Sequence, residues 1–414
     1  MDLKPTEREG AESGRSGLPA CAQPSNRGWL SPLTTERPQE TGPVPAHNDR
    51  MRHARSRCPP ASSRRRSAPD GRGRYEMHAK PTTHRRRCWA WAAWIPALMV
   101  LGTATPSLAE DNPWQATLRL GTASPGGTYA VYGEGLARLI SQELGVDTVP
   151  ENTGGPYHNM ALVHSGDVEL GLTTLGPARE AWHGKSDVAP GVEMRNVRAL
   201  FPMYQTPFQV ITLADSGIEE ISDLAGRRVG VGPMGGTCAN YWPRFLEALG
   251  VEDVQYQYDG ANQLADYVAV NLVDAFAFCA GLPIRAFQNL EARHDVHLFT
   301  FTEEEQARLV EAFPVAPFGI PAATYDSQTT TQHSVAFWNF AIGSKDLPED
   351  LVYELMARVL EHPNLSEALH PAAADTRPEH LDRNTVMWFH PGAIRYYRDQ
   401  GYAVDGDRIP PEAE

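Results

Sequence analysis

Twice in this chain a short apolar strand runs into a glycine-rich turn and then an amphipathic helix, and each time two more strands follow. The first run has a strand at 117–121 and the turn Gly121-Thr122-Ala123-Ser124-Pro125-Gly126-Gly127-Thr128-Tyr129. A helix at 129–143, a strand at 146–150, a helix at 157–165 and a strand at 168–173 complete it. The second run leads from Asp223-Leu224-Ala225-Gly226 into a strand at 228–232 and a helix at 237–249. A strand at 254–258, a helix at 262–271 and a strand at 274–279 follow. Short strands alternating with helices predict parallel sheets covered by helices. An extended stretch at 197–213, interrupted by Pro202 and Pro207, separates the runs. A second one, 334–342, leads into a helix at 349–361. Two α/β units joined by extended segments, with the chain returning to the first unit, predict two lobes on a hinge. The hinge is expected near 204–208 and just before Phe337. Such sheets bind ligands outside the carboxyl ends of their strands, which places a cleft between the lobes. The two units share an architecture without a sequence repeat.

The charge is divided unevenly. Residues 1–109 hold 18 Lys+Arg and 9 Asp+Glu, and the remainder holds 19 and 42. An acidic body argues against nucleic-acid binding, which needs a basic surface to displace counterions from phosphates. No apolar run reaches the roughly 18 residues of a membrane span, so the body is expected to be soluble and not membrane-embedded. Residues 1–76 are rich in Pro, Arg, Ser and Gly and lack the apolar surface to offset ordering entropy; they read as a disordered extension or a misassigned start. Residues 77–109 read as an export signal. A basic run, His84-Arg85-Arg86-Arg87, precedes a charge-free apolar stretch from Cys88 to Gly102, and Ser107-Leu108-Ala109 supplies small residues for cleavage after about Ala109. Met77 gives that signal an ordinary length. The expected location is the periplasm.

Of five cysteines, Cys238 and Cys279 remain in the exported chain. Both fall at one edge of the second lobe's cleft, where they can pair in an oxidising compartment; two separate buried thiols is the alternative.

Gly230-Val231-Gly232-Pro233-Met234-Gly235 fits G-x-G-x-x-G, and Asp259 stands where a ribose-binding acid belongs. Export and the rigid, N–H-less Pro233 oppose a dinucleotide. A tight turn offering backbone N–H groups at a helix N-terminus to a small anion is the better reading. The turn containing Ser124, Gly127, Thr128 and Tyr129 does the same in the first unit, and so does Thr153-Gly154-Gly155-Pro156 after that unit's second strand. No Lys or Arg lies in these turns, so a carboxylate there is held by backbone dipoles and hydroxyls. Catalytic templates are missing: there is no G-x-S-x-G, no H-E-x-x-H and no metal-ligand spacing among the histidines. Neither catalysis nor a cofactor nor a metal is expected.

Several long motifs in order make a resemblance specific. GTASPGGTYAVYGEGLARLI comes first, then the TGG turn with Asn159, SGIEEISDLAGRRVGVGPMGGT, VDAFAFCAGLP, IPAATY and His390-Pro391-Gly392-Ala393-Ile394-Arg395-Tyr396-Tyr397. Across 121–401 the chain resembles the TAXI family of solute-binding proteins, which serve tripartite ATP-independent periplasmic (TRAP) transporters. The resemblance implies a fold like that of type II periplasmic binding proteins, with lobe 1 built from 114–205 and 335–414 and lobe 2 from 206–334. It implies capture of a small organic anion, a glutamate-like amino acid or a dicarboxylate, for a TRAP membrane permease. The expected ligand residues are Ser124, Gly127, Thr128, Tyr129, Thr153, Gly154, Gly155, Asn159, Thr174, Gly235, Gly236, Thr237 and Gly281. This chain departs from the family at Pro156, where many members have Ser, and at Thr174-Leu175-Gly176, where many have a polar run. A ligand-binding sensor for a membrane kinase is the alternative, and an enzyme of the same two-lobe fold a further one.

Overall fold

The computed structural model describes Trp114 and residues 117–413. The extension at 1–76 and the export signal at 77–109 lie outside the described residues.

The first unit runs β1 (Leu118–Gly121), α1 (Thr128–Leu144), β2 (Thr148–Glu151), α2 (Pro156–Ser165), β3 (Leu170–Thr174) and α3 (Leu175–Trp182). In α1 the stripe Tyr132, Leu136, Leu139 and Ile140 repeats at helical spacing and is buried against the sheet. The helix stops at Gly145, whose left-handed φ of 65° suits glycine. Next comes β4 (Val197–Leu213). The second unit runs β5 (Arg228–Gly230), α4 (Thr237–Leu249), β6 (Gln255–Gln257), α5 (Ala261–Ala269), β7 (Ala275–Cys279) and α6 (Arg285–Glu291). It continues through β8 (Val296–Phe299), α7 (Glu303–Ala312) and β9 (Ala316–Ile320). β10 (Gln332–Ser344), α8 (Glu349–Leu360), α9 (Leu365–Ala368) and α10 (Pro391–Asp399) return to the first unit.

The strand order is β2-β1-β3-β10-β4-β7-β5-β6, with β8 also paired to β4 and β9 to β10. Each lobe repeats one plan. In lobe 1, β1 lies parallel between β2 and β3, and β10 adds antiparallel to β3. In lobe 2, β5 lies parallel between β6 and β7, and β4 adds antiparallel to β7. Every lobe thus finishes its sheet with a strand arriving from the crossover. This is the type II periplasmic-binding-protein fold that the family resemblance implies.

Two hydrophobic cores result. One includes Tyr204 and resumes at Phe340; the other runs from Phe208 to Phe337. The chain therefore changes lobe between Tyr204 and Phe208 and again between Phe337 and Phe340, the return lying a few residues beyond the 334/335 boundary expected from sequence. Pro202 and Pro207 do not break β4, which is continuous over 17 residues. Pro202 stands at a register irregularity against β10. Pro207 stands where pairing passes from β10 at Thr206 to β7 at Phe208, so neither ring removes a needed ladder bond.

The motif at 390–397 is structural. His390 caps α10, its Nδ1 accepting from the Gly392 N–H at 3.1 Å. A side chain at Gly392 would meet the Glu349 carbonyl at 2.3 Å, so the glycine lets α10 lie directly on α8.

Candidate functional site

Parallel strands aim their carboxyl ends, and so the N-termini of the helices that follow, at one edge of the sheet. In both lobes that edge faces the gap between them. A cavity with about 440 Å³ of empty space lies there. Its wall contains the N-cap residues of four helices: Gly127 for α1, Gly155 for α2, Thr174 for α3 and Gly236 for α4. None of these caps is closed by a side-chain hydrogen bond. Partial positive charge from three helices of lobe 1 and one of lobe 2 therefore converges on a single space. Close approach explains the glycines. Gly155 has φ +108°, and a side chain there would press on the Gly236 Cα of the opposite lobe at 3.3 Å.

Six hydroxyl side chains, Ser124, Thr128, Tyr129, Thr174, Thr206 and Thr237, also line the cavity. Four already donate to protein atoms. Thr128 donates to the Gly281 carbonyl at 2.5 Å, and Tyr129 to Asn339 Oδ1 at 2.6 Å. Thr174 also donates to Asn339 Oδ1, at 3.0 Å, and Thr237 to Thr174 Oγ1 at 3.0 Å. Ser124 accepts from the Ala261 N–H at 3.3 Å and Thr206 accepts from Asn339 Nδ2 at 2.7 Å, which leaves both of their protons for a ligand. Asn339 ties this floor together, its Nδ2 also donating to the Tyr204 carbonyl at 2.6 Å. Sequence reasoning missed it; the one signal was a lone amide inside the apolar stretch 334–342.

Of the expected residues, Ser124, Gly127, Thr128, Tyr129, Gly154, Gly155, Thr174, Gly236 and Thr237 come together in the wall. Thr153, Asn159, Gly235 and Gly281 do not line it. Asn159 is fully buried behind it, strapping the Thr122 and Leu172 carbonyls at 2.7 and 2.8 Å. Thr153 Oγ1 accepts from the Gly155 N–H and sets the second turn. The Gly235 and Gly281 carbonyls each accept a hydrogen bond from lobe 1, from the Tyr157 N–H and the Thr128 hydroxyl. The wall also contains Ala123, Pro156, Pro233, Phe278 and Ala280, none of them among the expected ligand residues. Cys238 and Cys279 are joined by a disulfide, their Cα atoms 5.5 Å apart, and the bridge is part of the wall. Among the described residues, this wall contains no Asp, Glu, His, Lys or Arg, and nowhere do three or more metal-binding side chains cluster.

Outside the cavity a charged cluster crosses the lobes. Glu180 of α3 accepts from Tyr157 at 2.5 Å, from Tyr241 of α4 at 3.1 Å and from Arg244 of α4 at 2.5 Å. Burial, with Tyr241 and Glu180 beside it, pushes the Tyr157 phenol well above its ordinary range, so it stays a donor. Backbone bonds Tyr157–Gly235, Ala286–Gly126 and Asn262–Pro125 also span the gap. The lobes are closed on each other.

A profile of the NMT1-like family matches residues 120–401, both lobes and both crossings. The chain belongs to the NMT1-like family. Solved structures to which this NMT1-like chain is similar include the periplasmic binding protein BugD, at 16% identity and TM-score 0.46, covering 69% of this chain and 97% of that one. Another is described as a periplasmic transporter, at 16% identity and TM-score 0.43, covering 62% and 87%. A third is the GluR0 ligand-binding core from Nostoc punctiforme with L-glutamate, at 14% identity and TM-score 0.40, covering 61% and 96%. A comparison with curated proteins finds no match. Among the described residues, no helix is long and apolar enough to cross a membrane.

Proposed function

We propose that this NMT1-like protein is a periplasmic solute-binding protein that closes its lobes on one small organic anion and delivers it to a membrane permease of the TRAP type. The observation that carries the reading is the shared cavity: helix N-caps from both lobes converge on a space that neither lobe encloses alone. Such a space is assembled by closure, so ligand affinity and lobe closure are one equilibrium. The cavity's polar groups are backbone dipoles and hydroxyls, which hold and orient a charge. The permease assignment rests on the TAXI resemblance across 121–401. Titration calorimetry of the protein against small carboxylates tests the binding reading, with saturable one-to-one binding expected. If no carboxylate binds, the reading fails.

A further inference from the structure

Resting on that reading, we propose that Ser124 couples the ligand to lobe closure by capping α5 of the opposite lobe. Three helices, α2, α5 and α6, make no side-chain cap of their own and are capped across the gap. At the start of α5 the Ala261 N–H donates to Ser124 Oγ at 3.3 Å and the Asn262 N–H to the Pro125 carbonyl at 3.4 Å. In the first turn of α6 the Ala286 N–H donates to the Gly126 carbonyl at 3.1 Å. In return the Gly235 carbonyl of lobe 2 accepts from the Tyr157 N–H of α2 at 3.0 Å. The first four N–H groups of a helix have no partner inside it, so an acceptor at that end is stabilising. The Ser124-Pro125-Gly126 turn of lobe 1 thus supplies caps that α5 and α6 lack. The fit needs a glycine: Gly126 has φ +95°, and a side chain there would meet Asn262 Oδ1 at 2.3 Å.

Of these four acceptor residues, Ser124 alone lines the cavity. Its oxygen receives the Ala261 N–H, and its own proton is left for a ligand. Ala261 is fully buried and stands outside the wall, so α5 reaches the cavity through Ser124. A carboxylate that accepts the Ser124 proton holds the hydroxyl in one orientation. It also makes the Ser124 oxygen a better acceptor, because hydrogen bonds in series polarise one another. The series runs from the Ala261 N–H to Ser124 and from the Ser124 O–H to the anion, with each group donating to the next. An anion in the cavity thereby tightens the cap on lobe 2, and the capped, closed arrangement presents the Ser124 proton to the anion. Each favours the other. Ser124 is on this argument a positioning residue for lobe 2 as well as a ligand contact.

Titration calorimetry, small-angle scattering and amide NMR of the protein with succinate, 2-oxoglutarate and L-glutamate test this. With whichever binds tightest, the Ala261 amide proton is expected to shift downfield on saturation as its hydrogen bond strengthens. Ser124→Ala should lower affinity about tenfold to a hundredfold and leave the saturated protein less compact than the unaltered one. Ser124→Thr, which keeps the hydroxyl, should restore both. An Ala261 amide that ligand does not move in the unaltered protein overturns the coupling and leaves the organic-anion reading standing. So does a Ser124→Ala protein that binds as tightly, or that closes as fully when saturated. Should Ser124→Ala fail to fold, the Ala261 response in the unaltered protein decides. If none of the three anions binds, the coupling falls together with the organic-anion reading.

Discussion

The Thr128 hydroxyl, on the first turn of α1, donates to the Gly281 carbonyl of the other lobe at 2.5 Å. This residue of the cavity wall thus spends its proton joining the lobes. Thr128→Ala therefore removes a closure bond worth about 1 kcal/mol. We expect ligand affinity to fall about fivefold, with the apo protein more open by small-angle scattering, and Thr128→Ser to restore both. An affinity loss with unchanged scattering would place the hydroxyl on the ligand instead.

Glu180 gathers Tyr157 from its own lobe with Tyr241 and Arg244 from the other, outside the cavity wall. Glu180→Gln keeps the shape and removes the charge. Because Arg244 is partly exposed, solvent screens the pair, and the loss should be about 1 kcal/mol. The expected result is faster ligand release with association little changed, read by stopped-flow fluorescence. An unchanged off-rate would show that the cluster does not hold the lobes together.

The Cys238–Cys279 bridge closes a 41-residue loop. On chain entropy alone, Cys238→Ser with Cys279→Ser should lower stability by roughly 3–4 kcal/mol. Reduction should also weaken ligand binding, since the bridge forms part of the wall. Urea unfolding with and without reductant checks the first effect; a midpoint unmoved by reductant would contradict it.

His370 and His390 cap helical turns through unprotonated Nδ1 atoms, accepting from the Ala372 and Gly392 N–H groups at 3.1 Å each. Burial holds both imidazoles down at about 4. The unfolded chain binds these protons near pH 6.5, so folding stability is complete above that pH and declines as pH falls from 6.5 to 4. Each group contributes at most about 3 kcal/mol. Thermal midpoints should fall over this window, and less steeply in His370→Asn, where the amide oxygen can keep the cap without titrating. Equal slopes for the two proteins would clear His370 of the effect.

The turns were legible because they punctuate: Gly-Gly-Thr after β1 and Gly-Gly-Pro after β2 mark strand ends and helix starts together. The start of α3 was not, since Thr174 passes from β3 into the helix without a glycine or proline between. The segment with β8, α7 and β9 was also missed, although Thr302 and Glu305 form a capping box at α7 that the sequence Thr-Glu-Glu-Glu displays. Side-chain roles were harder to read than positions. Thr153, Asn159 and Gly281 stand beside the cavity, but their hydrogen bonds run to Thr122, Leu172, Gly155 and Thr128, and spacing along the chain does not say which way an amide or hydroxyl points.

β4 and β10 cross between the lobes as a pair, and Thr206, in the cavity floor, lies on one of them beside Asn339 on the other. The floor and the bending axis are thus one place. A group seated there touches the strands that link the lobes, whereas Glu180 and Arg244 join the lobes outside the cavity. On the closure proposed above, the shape of whatever sits deepest in the cavity would set the angle between the lobes.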